Sequence, residues 1–306
     1  MTAASTRTYV RPRMGTLLAA TLPVGESDVH ARHVATIFET AGVCEDVMSR
    51  HRPDAGVSRL NARAGDPEGI VSAELARVLA LARRLSIATD GAFDPTITPV
   101  FEAWRRASAR GRMPSARRLR ATLGLVGCRR ITIAGSRVSL ERAGMAIDLG
   151  GLGKGLALDR IAARLRRERC GSAMLNFGES SLLAIGRPPG GRWTVVLRHP
   201  ARGVVGEFPL EGRACSTSAT FGQTLKAGSR RVGHVLDPRT GRPVRVMAQV
   251  TVLARSAAVA EAASTALLVL GRSSVATLAA RLNLDACWVD RAGVSTTPRF
   301  PLHRLD

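Results

Sequence analysis

The sequence predicts an α+β fold, and three observations carry that prediction. Amphipathic helical runs crowd the first half of the chain and short strand-like runs bounded by glycine and proline crowd the second. The two kinds of run mix without the strict strand–helix–strand alternation of a doubly wound sheet. No internal repeat and no low-complexity linker divides the 306 residues, so residues 1–306 read as a single unit with a short tail at 1–13.

Each element follows from local chemistry. RTYVRPR and then MGTLLAATLPVG resemble the basic and apolar regions of a secretory signal. The apolar run is short, Pro23 interrupts it, and neither an A-x-A-like site nor a lipidated cysteine follows, so it reads as the first strand of a cytoplasmic protein. Ser27 and Asp28 are helix-cap residue types, and VHARHVATIFETAGVCEDVMSRH continues as an amphipathic helix. RPDAGVSRLNARAGDPEG reads as loop. Ser72, with Glu74 in the first turn, opens a helix through ELARVLALARRLSIATDG. GAFDPTITP is a turn cluster, Pro114 begins a short helix, and RRITIAGSRVSLER turns at Gly135 and Ser136 as a hairpin. SAMLNFG, SLLAIG, WTVVLRH, GEFPLEG, RACSTSA and AQVTVLARS read as strands, and VGHVLDPRTGRPV as a strand entering a turn. AAVAEAASTALLVLG is a helix closed by Gly271, and SSVATLAARLN is another.

Composition narrows the function classes. The formal net charge is +21 and almost wholly arginine, since only Lys154 and Lys226 are lysines. The arginines spread over every predicted helix face and aromatics make up 4%, so no nucleic-acid surface is expected, although the field favours acidic ligands. Five cysteines without paired spacing argue against both a disulfide framework and a zinc site. No apolar run is long enough for a transmembrane helix.

DLGGLGKGLALD (148–159) is the stretch richest in chemistry. It is not a Walker loop, because Asp148 stands at the first glycine position and Gly155 follows the lysine. It is not a dinucleotide fingerprint either, because Leu156 stands at the third glycine position. What remains is a glycine-rich helix start with one lysine, which favours an anion, or a turn that packs a strand closely on a helix. Three further segments bear on that choice. Asp94 lies in the proline-flanked turn GAFDPTITP, His234 precedes an Asp-Pro turn in HVLDPRTG, and Glu261 and Thr265 stand one helical turn apart. That last pair offers a carboxylate and a hydroxyl to a hard cation such as Mg²⁺. Singly, each has a plain reading as a turn cap, a strand histidine or a polar stripe.

Taken together and in order, these segments resemble the ApbE family of flavin transferases. The resemblance runs from Met14-Gly15-Thr16 through MSRHRPDAGVSRLN, GAFDPTITPVFEAW, IDLGGLGKGLALD, NFGES, STSA, HVLDPRTGRPV and AEAASTALLVLG. It implies mixed, T-fold-like sheets packed with helices and a ligand site in a central cleft. It also implies a Mg²⁺-dependent reaction that cleaves FAD and attaches FMN through a phosphoester to a threonine or serine of an acceptor protein. On that resemblance Met14, His51, Ala92, Phe93, Asp94, Asp148, Lys154 and Ser264 would lie around FAD. Gly151, Glu261 and Thr265 would hold magnesium, and His234 would be the catalytic histidine, as base or as transient carrier. An FAD pyrophosphatase and a non-catalytic flavin-binding protein are the alternatives.

The chain departs from the family pattern at several of these positions. Glu261 stands where the family usually has aspartate, which moves the carboxylate by roughly 1.5 Å. Glu179 occupies a usual glycine position, Ala219 replaces the glycine of T-S-G, Gly153 replaces a common alanine, and His51 stands where an aromatic commonly stacks on the flavin.

Overall fold

The computed structural model describes residues 5–25, 27–67, 69–222, 224–227 and 230–304. Its beginning corrects the expectation of a single leading strand. Thr6–Arg13 (β1) and Thr16–Pro23 (β2) form an antiparallel hairpin. Met14 and Gly15 make its turn with φ of 49° and 73°, the left-handed pair that a two-residue turn matched to strand twist requires. The basic run is therefore a strand, and its arginines lie on the sheet.

Ser27–Met48 (α1) has Asp28 inside its first turn, not at its cap, where the acid still meets the positive helix end; the Ser27 side chain lies outside the described residues. Gly56–Ala62 (α2) occupies a stretch expected to be loop. At seven residues it is too short to hold by propensity, and buried Val57 and Leu60 fix it by packing. Ala73–Ala88 (α3) starts as expected, with Ser72 Oγ accepting from the Leu75 amide at 3.1 Å. Thr98–Ser108 (α4) precedes Ala116–Leu123 (α5), which begins two residues after the expected start at Pro114 and is capped by Ser115. Ile131–Ala134 (β3) and Arg137–Leu140 (β4) pair around Gly135 and Ser136 as expected.

Gly153–Arg167 (α6) follows the glycine stretch. The strand-rich half contains Ala173–Phe177 (β5), Ser181–Ile185 (β6), Thr194–His199 (β7), Gly203–Pro209 (β8) and Ala214–Ala219 (β9). Thr224–Ala227 (β10) and Arg230–Gly233 (β11) pair as a small hairpin. Ala248–Ala254 (β12), Ala257–Leu270 (α7), Val275–Leu282 (α8), Asp285–Asp290 (β13) and Gly293–Thr296 (β14) complete the chain. β10, β13 and β14 have no counterpart among the sequence-based expectations. β13 is buried on both faces and bracketed by aspartates, so it lacks the alternation that marks a half-buried strand.

Eight strands form one sheet in the order β1-β2-β5-β6-β9-β12-β13-β14, antiparallel at every pairing. Helices α1, α6 and α7 lie side by side on one face and bury Leu18, Ala20, Leu175, Phe177, Val250 and Val252 beneath them. The β7–β8 ribbon covers part of the other face through Trp193, Leu197 and Phe208, packed on Cys215, Leu253 and Cys287. β12, an interior strand between β9 and β13, is buried at all seven positions. Its polar residues are satisfied there, with Thr251 Oγ1 2.9 Å from Thr217 Oγ1 and Gln249 Nε2 donating to the Arg198 carbonyl at 3.0 Å. A smaller cluster of Val100, Trp104 and Leu236 joins α4 to the segment after β11. All five cysteines are free and buried, and burial pushes Cys215 and Cys287 up to about 12. Among the described residues no helix is long and apolar enough to cross a membrane.

Candidate active site

Four separated segments meet at one cleft of about 670 Å³ at the edge of the α6–α7 layer. The first is the turn after α3. Asp94 is buried and its carboxylate is fully engaged, half of it within the turn and half by α3 and the segment at Cys128. Oδ1 accepts from the Thr96 amide at 2.8 Å and the Thr96 hydroxyl at 2.5 Å, while Oδ2 accepts from Ser86 Oγ at 3.1 Å and the Cys128 amide at 3.0 Å. Four donors fill a carboxylate's acceptor sites. Asp94 therefore borders the cleft as the post that holds Ala92 and Phe93 on its wall.

The second segment is the glycine stretch, tied to the first by a hydrogen bond from the Asp148 amide to the Pro95 carbonyl at 2.7 Å. Asp148 Oδ1 accepts from the Gly150 amide at 2.7 Å, and Oδ2 pairs with Arg50 Nε at 2.8 Å. Gly151 completes a cradle, since a Cβ there would lie 3.4 Å from the Phe93 ring and 3.7 Å from Thr265 Oγ1. Helix α6 begins at Gly153 with Leu152, which has no capping side chain, before it. Its amide end is instead met by the third segment, α7. Glu261 Oε2 accepts from the Gly155 amide at 2.7 Å, and Oε1 pairs with Lys154 Nζ. Thr265 sits one turn on, its hydroxyl donating to the Glu261 carbonyl at 3.2 Å, which turns its lone pairs toward other partners.

The fourth segment follows β11. Asp237 accepts from the Arg239 amide at 2.9 Å, and the Gly241 amide closes on the Asp237 carbonyl at 2.7 Å. The resulting tight turn carries half-buried His234 onto the cleft wall.

Nine residues expected at the site thus line this cleft: Ala92, Phe93, Asp94, Asp148, Gly151, Lys154, His234, Glu261 and Thr265. Met14 and His51 line a neighbouring cleft of about 490 Å³ that shares Asp148, Gly150 and Lys154 with the first, so the two adjoin across the glycine stretch. Ser264 is the exception. It is fully buried behind the wall, 2.8 Å from Ser218 Oγ and donating to the Glu261 carbonyl at 3.0 Å, so it supports the wall without reaching the cavity.

The sequence reading missed Arg50, Phe101, Ser218 and Phe221. Arg50 holds Asp148, and the other three border the cleft. Arg50, Phe101 and Ser218 lie inside the quoted segments MSRHRPDAGVSRLN, GAFDPTITPVFEAW and STSA, which is the one signal that points to them.

The donor set decides what the site can hold. Glu261, Thr265 and Ser218 offer oxygen alone, the chemistry a hard divalent cation prefers. Among the described residues no group of three His, Cys, Asp or Glu side chains forms a metal cage. A cation here would complete its shell with ligand phosphate, as magnesium usually does, and on that ground the residues fit it.

The profile of the ApbE family matches residues 14–288. The chain belongs to the ApbE family. Its curated relatives include a protein named FAD:protein FMN transferase from Klebsiella pneumoniae (strain 342), 28% identical over 83% of this chain and 81% of the relative. Solved ApbE structures share the fold. The apo form of the Pseudomonas stutzeri flavinyl transferase ApbE superposes with a TM-score of 0.83 at 27% identity, covering 96% of this chain and 94% of that one. The flavin transferase ApbE from Vibrio cholerae gives 0.84 at 25% identity, covering 96% and 97%.

Proposed function

We propose that this chain is a magnesium-dependent FAD:protein FMN transferase. The observation that carries the reading is the meeting of Asp148, Lys154, Glu261, Thr265 and His234 around one cleft of dinucleotide size, in a chain whose relatives bear that name. The reading takes the chain as a single unit, supported by a sheet that joins strands from its two ends.

In this reading the acceptor hydroxyl oxygen attacks the FMN phosphorus, the bond to the AMP oxygen breaks, and AMP leaves with the electron pair. Magnesium, when bound, neutralises charge on the pyrophosphate oxygens. Glu261, Thr265 and the Gly151 cradle would hold it, and Lys154 would add a second positive charge on the same oxygens. His234 takes the proton of the attacking hydroxyl, the general-base role that an imidazole at the cleft wall suits. Asp148, fixed by Arg50 and the Gly150 amide, orients the ligand. Phe93 and Phe221 give apolar surface to its rings and exclude water.

The test is AMP release from FAD, followed by chromatography with Mg²⁺ and with EDTA, in the presence and absence of a threonine-bearing acceptor. Magnesium-dependent AMP with flavin fixed to the acceptor is the expected result, and His234→Ala should abolish it with the fold intact. AMP without an acceptor would mean hydrolysis, and intact FAD under every condition would mean a flavin binder.

A further inference from the structure

Edge strand β1 points arginine where its neighbour points core. Arg7 pairs with Leu22, Tyr9 with Ala20 and Arg11 with Leu18. Directly paired residues share a face, and Leu18, Ala20 and Leu22 are buried on the helix side. The arginines therefore face α1 across a groove of about 620 Å³, lined by Arg7, Tyr9, Arg11, Arg13, His30 and Glu39 among others. Glu39 is the one acid among the lining residues.

The groove is built, not a random scatter of charge. The Arg11 guanidinium lies 4.6 Å from the Phe38 ring centroid, and Arg13 Nε donates to the Phe38 carbonyl at 3.2 Å. Tyr9 Oη is 2.8 Å from His30 Nε2. Arg7 and Arg11 have no ion pair among the described residues, so their guanidinium forks remain available to carboxylates. Inward-pointing charge also guards a sheet edge, but that purpose explains neither the open groove nor its direction. β1 ends in the Met14–Gly15 turn, which enters the cleft shared with Asp148 and Lys154. A shallow cleft lined by Arg13, Met14, Gly15 and Glu45 bridges the two. The track from Arg7 to Met14 is about 23 Å of strand, the length of about seven extended residues.

We propose that the β1–α1 groove receives an acidic, extended segment of the acceptor polypeptide and so delivers the flanking hydroxyl to the catalytic cleft. This deepens the transferase reading and rests on it. The concave form suits an extended peptide better than a flat membrane. The groove's two aromatics, Tyr9 and Phe38, are engaged by His30 and Arg11 and leave no platform for stacked bases.

The experiment uses two fluorescein-labelled 12-residue peptides with one central threonine, one carrying four acidic residues and the other their amide counterparts. Binding is read by fluorescence anisotropy without FAD, on wild type and on the Arg7→Gln/Arg11→Gln variant. Wild type should bind the acidic peptide at least tenfold tighter than the neutral one. The variant should lose that preference while quenching of FAD fluorescence stays at the wild-type level, which also reports an intact fold. Equal binding of the acidic peptide by wild type and variant would assign the attraction to diffuse charge and overturn the proposal. So would a single-stranded oligonucleotide, or vesicles of anionic lipid, losing more affinity in the variant than the peptide does. Because binding is read without FAD, a protein that binds the peptide but releases no AMP sinks the transferase reading and leaves the groove. The reverse result sinks the groove alone.

Discussion

Glu261 sits on α7, yet both of its carboxylate oxygens reach α6, one to the Gly155 amide and the other to Lys154. An aspartate at this position would fall short by roughly one carbon–carbon bond, ~1.5 Å. The longer side chain thus ties the start of α6 to the second turn of α7. Glu261→Gln should leave Lys154 without its partner, lower stability by about 1–3 kcal/mol, and weaken Mn²⁺ binding in the presence of FAD at least tenfold, read by electron paramagnetic resonance. Unchanged Mn²⁺ affinity would remove Glu261 from the metal shell. At this scale the sequence was a good guide to which residues gather and a poor one to what each atom does. Asp94 and Glu261 are both visible as carboxylates in distinctive segments. Only their hydrogen bonds reveal that Asp94 is taken up by its own turn, by Ser86 and by the Cys128 amide, and that Glu261 faces the neighbouring helix. Ser264 lies one residue from Thr265, and the helical rotation of about 100° between them turns it into the core.

Helices α6 and α7 cap one another. Asp159 accepts from the Ala257 amide at 2.7 Å, the Ala258 amide at 3.1 Å and the Ser256 hydroxyl at 2.6 Å, and so closes the start of α7. One turn earlier on α6, the Gly155 amide is closed by Glu261, one turn later on α7. The crossing needs a glycine, because a Cβ on Gly155 would lie 2.4 Å from the Ala257 carbonyl oxygen. Burial raises the Asp159 carboxyl above its ordinary value, opposed by the Ser256 hydroxyl and the two amides. A raised folded-state value favours the folded protein most below the ordinary aspartate range, and that contribution is lost as pH rises through the raised value. Asp159→Asn puts an amide donor against amide donors and should cost about 1–2 kcal/mol. By urea unfolding across a pH series, the deficit should be widest at acid pH and narrow as pH rises past the Asp159 value; a deficit that widens instead would contradict the role of burial. Elements with their own punctuation, such as α3 with its Ser72 cap and α7 ending at Gly271 with φ of 87°, were legible in the sequence. Those fixed by packing alone, α2 and β13, were not.

The cleft lies between two bodies of unequal size, and the sequence shows neither boundary because the segments that form it are scattered from residue 14 to residue 268. The larger body is the sheet with α6 and α7, which carries Lys154, Glu261 and Thr265. The smaller is the cluster of α4, α5 and the segment after β11, which carries His234. Within it, Trp104 Nε1 donates to the Gly241 carbonyl at 2.7 Å and ties α4 to the segment after β11. Gly241 needs its φ of 67°, and a Cβ there would meet Leu119 at 3.0 Å, so the His234 turn is pressed against α5 as well. Trp104→Phe keeps most of the apolar bulk and removes only the donor, at a cost of about 1–3 kcal/mol for the carbonyl left buried. The sheet body should be untouched, because the cluster around Trp104 is separate from the main core. If His234 must be held in place for proton transfer, small displacements of its turn should be costly, since a misplacement of about 1 Å can lower a rate ~100-fold. The expected outcome is a fall in kcat of roughly tenfold or more, with KM for FAD changed far less because Asp148 and Lys154 lie on the glycine stretch and α6, outside the Trp104 cluster. A variant that loses stability but keeps wild-type kcat would show that the small body need not be fixed for the chemistry, and would return the search for the base to the larger one.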